Sequence, residues 1–327
     1  MKKEFKNIGI MTSGGDSPGM NAAVRAIVRT ALQYNMKPFG IYNGYQGMIE
    51  GHIKELKTTD VSNIIQRGGT ILKTARSKEF MTDEGMEKAY QQLKKNHIDA
   101  LILIGGDGTF RGAVAFFQKY DIPAIGLPGT IDNDLNGSDF TIGFDTAVNT
   151  AVWAIDKIRD TAESHDRLFI VEVMGRDAGY IALHSGIACG AEHILIPEQK
   201  ESISKIVRDI SNDQRRKKLM NIIVVAEGDE SGGALEISEV LKKRLPNLET
   251  RVTILGHIQR GGSPTCADRI LASRLGFAAV QALTQGRTQE MVGVINNEIT
   301  FTAFDSCVKL QKPISKDMEE IMVVLAK

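Results

Sequence analysis

Apolar residues in this chain gather in two kinds of run. Leu101–Ile104 is an unbroken stretch of leucine and isoleucine, and Ile122–Leu127 is a second run, interrupted only by proline, alanine and glycine. Runs without polar alternation predict strands buried on both faces of a parallel sheet. Residues 7–12, 167–174, 221–228 and 251–256 read as further strands. Between the strands the spacing becomes helical. Val24, Ile27, Val28 and Ala31 form one buried stripe behind Pro18, which suits the first turn of a helix, and Ala147, Ala151, Ala154, Ile155 and Ile158 form another. Alternating strands and helices predict a doubly wound α/β fold, and the second stripe, leading into the run at 167–174, marks a second such unit. Ligands bind such sheets outside the carboxyl ends of the strands. Here those ends carry glycine and carboxylate.

Length points to the same division, since 327 residues exceed one ordinary core. Forty Lys and Arg balance forty Asp and Glu, and no basic block is longer than Arg215–Lys218. A neutral chain without a basic face has no electrostatic basis for holding nucleic acid. No apolar run reaches membrane-spanning length, and the basic MKKEFKNIG meets polar GGDSPG too soon for a secretory leader, so a cytoplasmic protein without membrane contact is expected. Cys189, Cys266 and Cys307 are odd in number and far apart. They read as reduced, buried thiols rather than a disulfide framework or a metal knuckle.

Chemistry enters at the strand ends. In GGDGT (105–109), Gly105, Gly106 and Gly108 let the backbone turn sharply and bring its N–H groups against an anion at the start of the next helix. A polyphosphate fits. Asp107 would repel it unless a divalent ion bridged the two, and Mg²⁺ is typically held by one or two carboxylates with phosphate oxygens, which makes Asp107 the metal candidate. Alone, GGDG is equally a tight strand-to-helix turn with a capping aspartate. The second cluster, PGTIDND (128–134), favours the functional reading. Asp132 and Asp134 stand two apart, so in an extended loop they face the same way and can divide base and metal-organising work. The turn SGGDSPG after the first strand suits phosphate again. No GxxxxGK[ST] occurs, which argues against a P-loop kinase.

With SGGDSPGMN at 13–21, MGR at 174–176 and RVTILGHIQRGGSPTCADR at 251–269, these clusters make five motifs in one order. In that order the chain closely resembles the bacterial-type ATP-dependent 6-phosphofructokinases over nearly its whole length. The resemblance implies two doubly wound, Rossmann-like domains facing across a cleft: 1–143 with 257–307 for ATP, and 144–256 with 308–327 for the sugar phosphate. The implied reaction moves the γ-phosphoryl group of Mg-ATP to the C1 hydroxyl of fructose 6-phosphate. ATP would meet Gly15, Tyr45, Arg76, Ser77, Gly106, Asp107, Gly108 and Thr109, with Tyr45 near the adenine. Asp132 would take the hydroxyl proton, Asp107 would hold Mg²⁺, Arg76 and Arg176 would offset charge, and Thr130 would help position the transferring group. The sugar phosphate would meet Thr130, Ile131, Asp132, Asp134, Met174, Gly175, Arg176, Glu227, His257 and Arg260. Arg167 and Arg251 would reach it from a neighbouring subunit of a homotetramer. Without the resemblance, Tyr45 is a half-buried aromatic, Arg76 a surface arginine and His257 a structural histidine.

Arg25 and Arg29 stand at i and i+4 on one helix, so both can project toward one anion, although that spacing equally gives a solvated face. The resemblance groups them with Arg159, Gly190, Glu192, Arg216 and Lys218 at a second nucleotide site, where ADP activates, phosphoenolpyruvate inhibits and Glu192 coordinates effector-bound Mg²⁺. Leu219 and Met220 stand where bacterial relatives carry lysine and histidine, which bears on effector strength. Pyrophosphate-using relatives carry aspartate and lysine where this chain has Gly108 and Gly129. Glycine at both is expected to leave room for the nucleotide, making ATP the donor. Alternatives are a pyrophosphate-dependent or other sugar-phosphate kinase, and a non-catalytic nucleotide-sensing subunit, which would be expected to have lost an aspartate such as Asp132. Lipid and NAD kinases share GGDGT, but MGR and GHIQRGG argue against them.

Overall fold

The strand made by the apolar run Leu101–Ile104 is the centre of the larger sheet. The computed structural model describes residues 5–162, 167–199, 202–215, 221–309 and 312–325. In chain order its elements are β1 (Asn7–Thr12), α1 (Met20–Gln33), β2 (Lys37–Ile41), α2 (Gly44–Glu50), β3 (Ile53–Glu55), α3 (Asp83–Lys95), β4 (Ala100–Gly105), α4 (Asp107–Phe117), β5 (Ala124–Pro128) and α5 (Phe144–Ala162). There follow β6 (Leu168–Val173), α6 (Tyr180–Ala188), β7 (His193–Leu195), α7 (Ile203–Arg215), β8 (Asn221–Ala226), α8 (Ala234–Arg244) and β9 (Thr250–Ile254). The chain closes with α9 (Cys266–Thr284), β10 (Glu290–Ile295), β11 (Glu298–Ala303), α10 (Phe304–Lys309) and α11 (Lys316–Leu325). It divides into two units, Met1–Thr146 with Arg260–Lys312, and Ala147–Gln259 with Pro313–Lys327.

Unit 1 holds a seven-stranded sheet in the order β11-β10-β5-β4-β1-β2-β3. Its five inner strands run parallel, and β3 and β11 are antiparallel edges. The unbroken apolar runs are inner strands for the expected reason, because helices cover both faces. Ile8 and Ile10 pack with Val24, Ile27 and Leu275 on one side, and Leu101 and Leu103 with Met48, Phe110 and Phe116 on the other. On the first face α1 and α9 come so close that a Cβ at Gly276 would lie 3.0 Å from the carbonyl of Ala23. The chain passes from β1 to β2 on one side, then returns to β4 on the other. That reversal opens a crevice between the carboxyl ends of β1 and β4.

Unit 2 holds a smaller parallel sheet in the order β7-β8-β6-β9. Ile170, Ile223 and Val225 pack against Ile206 and Ile210 of α7 and Ile237 and Leu241 of α8.

The N-termini of α5 and α9 cap each other. Asp268, in the first turn of α9, accepts from the backbone N–H of Gly143 and of Thr146, each at 2.8 Å, and from the Thr146 hydroxyl at 2.5 Å. Thr265, the N-cap of α9, accepts from the N–H of Asp268 at 3.2 Å and donates to the Asp145 carboxylate at 2.5 Å. Orphan donors at both helix starts are thereby satisfied. Cys189 and Cys307 are buried as expected, whereas Cys266 opens α9 and is exposed. Among the described residues no helix is long and apolar enough to cross a membrane.

Candidate active site

The crevice beside β1 is built from three loops that hold one another. Ser13 donates its N–H to the carbonyl of Ile104 at 3.0 Å, and the Thr109 hydroxyl donates to the carbonyl of Ser13 at 3.1 Å. A Cβ at Gly105 would sit 2.3 Å from the Thr109 hydroxyl, so glycine is what lets the β1 and β4 loops interlock. Gly129 donates its N–H to the carbonyl of Gly105 at 2.9 Å, which adds the β5 loop. Gly15, Gly106, Gly108, Thr109, Thr130 and Asp132 are all brought to this end of the sheet. Helix α4 begins at Asp107, so the positive end of its dipole opens into the same region.

Asp107 is partly exposed, and its Oδ2 accepts from Arg111 Nε at 2.7 Å, one helical turn on. Arg111 also donates to the carbonyl of Val308 at 2.9 Å. Asp132 is 8% exposed, and its N–H donates to the Thr130 hydroxyl at 3.2 Å. Thr141 in turn donates to the carbonyl of Thr130 at 2.7 Å. Thr130 and Ile131 are buried with it. The extended loop expected between Asp132 and Asp134 is not found. Asn133 is left-handed, with φ 53°, so the chain turns there and the two carboxylates do not share a face as residues two apart on a strand would. Asp134 is the more exposed of the two and stands near the half-buried ammonium of Lys312.

Tyr45 and Ser77 work from behind the loops. The Tyr45 ring stacks on Phe80 at 3.9 Å between centroids, and its hydroxyl donates to the carbonyl of Thr109 at 2.7 Å. Burial pushes its phenol far above the ordinary range. Its link to the first turn of α4 is therefore the hydroxyl, not an open ring face. Ser77 donates to Gln46 at 2.6 Å and accepts from the N–H of Phe80 at 3.0 Å, which fixes the turn beside Arg76. Arg76 itself is exposed and forms no ion pair among the described residues.

Gly108 and Gly129, expected to serve alike, differ. A Cβ at Gly108 would meet nothing within 4 Å, whereas one at Gly129 would lie 2.9 Å from Ile104 Cγ2 and 3.1 Å from Met20 Cε. Only Gly108 faces open space. Gly129 is glycine because the core closes on it.

Several ties here had no signal in the motifs. Buried Asn21 donates to the carbonyls of Arg67 and Gly68, both at 3.1 Å, and accepts from the N–H of Ile71 at 2.7 Å. Thr12 donates to the carbonyl of Lys73 at 2.9 Å, and Thr74 to that of Gly14 at 2.7 Å. Together they lash residues 67–74 to β1 and α1. Arg260, grouped with His257 by sequence, belongs to unit 1. Its guanidinium donates to the carbonyl of Asp16 at 3.2 Å and lies 2.5 Å from where a Cβ on Gly15 would stand.

In unit 2, Met174, Gly175, Arg176, Glu227 and His257 stand at the carboxyl ends of β6, β8 and β9. Gly175 and Arg176 have φ 146° and 55°. Glu227 holds that turn, accepting from the Arg176 N–H at 2.8 Å, while its own N–H donates to the carbonyl of Val173 at 3.0 Å. Arg176 and His257 are exposed. Arg167 and Arg251 lie at the opposite, amino ends of β6 and β9. Glu249 binds both, Arg167 at 2.8 Å and Arg251 through its Nη2.

The residues expected at an effector site fall in both units. Arg25 and Arg29 are on α1, and partial burial, then Arg29, lowers the pKa of Arg25. Arg159 donates to the carbonyl of Cys189, and to that of Gly190 at 3.3 Å. Glu192 accepts from the N–H of Ile222 at 2.8 Å. Arg216 and Lys218 lie outside the described residues.

The phosphofructokinase family profile matches residues 7–283. The chain is 54% identical over 321 residues to ATP-dependent 6-phosphofructokinase 2 of Bacteroides thetaiotaomicron, covering 98% of each chain. It is 54% identical over 322 residues to ATP-dependent 6-phosphofructokinase 1 of Thermus thermophilus, covering 98% of this chain and 100% of that one. Among solved structures it resembles Pichia pastoris phosphofructokinase in the T-state, with a TM-score of 0.87 and 37% identity over 99% of this chain and 37% of that much longer one. By its profile and by these near full-length bacterial relatives, the chain belongs to the phosphofructokinase family.

Proposed function

We infer that the chain transfers the γ-phosphoryl group of ATP to the C1 hydroxyl of fructose 6-phosphate, giving fructose 1,6-bisphosphate and ADP as a step of glycolysis in the cytoplasm. The activity named for the bacterial relatives supports the reaction. The observation that carries the chemistry is Asp132, a buried carboxylate at the end of β5, one strand from the start of α4. Asp132 accepts the hydroxyl proton as the sugar oxygen attacks, and Thr130, held by Thr141, keeps the loop in register. Gly15, Gly106, Gly108 and Thr109 offer backbone to the phosphates. Arg76, together with Arg176, offsets charge on the transferring group.

Mg²⁺ fits this donor set. No group of three His, Cys, Asp or Glu among the described residues could hold a metal alone, whereas Asp107 at the mouth of a phosphate loop suits an ion held mainly by phosphate oxygens and water. Bound there, the ion would neutralise phosphate charge. Open space at Gly108 supports ATP as the donor, since a nucleotide can approach the backbone closely.

The sugar phosphate is taken by Met174, Gly175, Arg176, Glu227 and His257 of unit 2 and by Arg260, with Ile131 and Asp134 beside the base. Arg167 and Arg251 stand a full strand away from the other unit 2 residues, about 20 Å for six residues. They serve the site of a second copy in a homotetramer. Arg25, Arg29, Arg159, Gly190 and Glu192 bind a regulatory nucleotide, with ADP activating and phosphoenolpyruvate inhibiting; Arg25→Ala should abolish the shift in fructose 6-phosphate half-saturation.

The test is ADP formation in a coupled assay across several sugar phosphates, with pyrophosphate replacing ATP in a parallel series. Turnover should need fructose 6-phosphate and ATP, and Asp132→Asn should cost a factor of ~10² to 10⁴ in kcat. Pyrophosphate supporting turnover as well as ATP does would overturn the donor, and near-wild-type turnover of the variant would overturn the base.

A further inference from the structure

Directly after the Asp132 loop, the segment 137–141 acts as its backing. Asp139 donates its N–H to the carbonyl of Val294 at 2.7 Å, and its carboxylate accepts from the N–H of Asn296 at 2.8 Å, so this segment is pinned to β10 and the turn after it. On its other side Thr141 holds Thr130. The carbonyl of Asp139 is where two side chains meet. Asn133, between the two aspartates of the loop, donates its amide to it at 3.2 Å, and Lys312 donates its ammonium to it at 2.6 Å. A carbonyl oxygen has two lone pairs, and here both have a donor.

Lys312 is the last residue of unit 1 before the chain passes to unit 2 at Pro313. Burial lowers its pKa to about 8, while the Asp139 and Asp134 carboxylates pull the other way. An ammonium taken partly out of water is costly unless it is paired and hydrogen-bonded, so this half-buried lysine is held by what it faces.

We propose that Lys312 is a positioning residue for the proposed base: by sharing the Asp139 carbonyl with Asn133 and facing Asp134, it holds the 130–134 loop in the geometry that aims Asp132 at the substrate hydroxyl. The proposal rests on the reading of Asp132 as base. Lys312 itself touches neither reactant. Its removal should lower kcat without weakening the nucleotide loops, since the interlock of Ser13, Gly105 and Thr109 does not involve it.

The experiment uses the full chain with Lys312→Met, Lys312→Gln and Lys312→Arg, and Asp132→Asn alongside. Displacement of a reacting group by about 1 Å can cost ~10²-fold, so Lys312→Met and Lys312→Gln are expected to lose ~10- to 100-fold in kcat. The KM for each substrate and the calorimetric affinity for a non-hydrolysable ATP analogue should stay within about threefold. Lys312→Arg, which restores charge and donor, should recover most of the loss. If Lys312→Met does not fold, the glutamine variant decides alone. Wild-type kcat in the folded methionine or glutamine variant overturns the proposal, as does a loss matched by KM and analogue affinity, which marks general damage. With Asp132→Asn inactive, either result removes only Lys312; an active Asp132→Asn removes the base reading and this proposal with it.

Discussion

The hydroxyl of Tyr45 donates to the main-chain carbonyl of Thr109 at 2.7 Å, joining the start of α2 to the first turn of α4. The bond is buried, and the ring beneath it is stacked on Phe80. Tyr45→Phe keeps the stacking and removes the hydroxyl donor from this buried carbonyl. Stability should fall by about 1 kcal/mol. Because Thr109 is one of the residues proposed to meet the phosphates, the KM for ATP should rise several-fold with kcat little changed. Tyr45→Ala also opens a cavity and should cost ~3–5 kcal/mol. Urea unfolding and steady-state kinetics of the two variants check this; a phenylalanine variant with unaltered ATP dependence would detach the bond from nucleotide binding.

Gly108 and Gly129 should separate binding from stability. Nothing lies within 4 Å of a Cβ at Gly108, which sits in the first turn of α4, so Gly108→Ala should fold as well as wild type or gain up to ~1 kcal/mol. It should nevertheless bind ATP more weakly. Gly129→Ala drives a methyl to 2.9 Å from Ile104 and should cost ~1–3 kcal/mol. Thermal unfolding with and without ATP distinguishes the two. Equal unfolding temperatures for the apo variants would contradict the packing difference.

Asp268 makes stability depend on pH in an unusual direction. Burial raises its carboxyl from 3.8 to about 6, despite the donors at Thr146 and Gly143. Between about pH 4 and about pH 6 the folded chain thus keeps a proton that the unfolded chain has released. The stability this proton confers is present at low pH and is lost as pH rises through that window, by at most ~3 kcal/mol. Unfolding free energies of wild type and Asp268→Asn at fixed protein concentration should diverge across it, and a constant difference would show that Asp268 does not titrate there.

If Arg167 and Arg251 serve a second copy, their loss should be curable in trans. The double variant Arg167→Ala with Arg251→Ala should show a fructose 6-phosphate KM raised at least ~10-fold, as expected for lost ground-state binding. Asp132→Asn should be inactive yet supply both arginines. Dissociating and reassembling the two variants together should regenerate low-KM activity that neither shows alone. Additive behaviour after mixing would place the arginines in their own chain's site, or in none.

Where the sequence was readable, burial was uniform. β4 and β5 are buried at every position, so their runs carry no alternation, and at their ends Gly105 and Gly129 leave no room for a Cβ. The hairpin of β10 and β11 was harder to see. Its turn is Asn296–Asn297, both left-handed at φ 50° and 65°, a weaker signal than asparagine followed by glycine, and β11 is only half-buried. In the candidate site the glycine-rich loops proposed to meet phosphate stood out as motifs. Asn21, Thr74 and Lys312 did not, because their partners lie 46 to 173 residues away in sequence and only the folded chain selects them. Gly129 shows the converse limit, since a glycine kept by the core and one kept by a ligand look alike in a sequence.

Among the described residues the strands of unit 2 fall between Leu168 and Ile254, whereas β10, the neighbour of β5, begins only at Glu290. At ~5–20 residues per second of synthesis, the smaller sheet is therefore complete on the ribosome while the larger one still lacks its last two strands. For those seconds β5, an interior strand in the finished molecule, is an open, wholly apolar edge of the kind that recruits other chains. Lesions in the β10–β11 hairpin should accordingly appear first as lost soluble yield in the cell, with the molecules that do mature keeping near-normal specific activity.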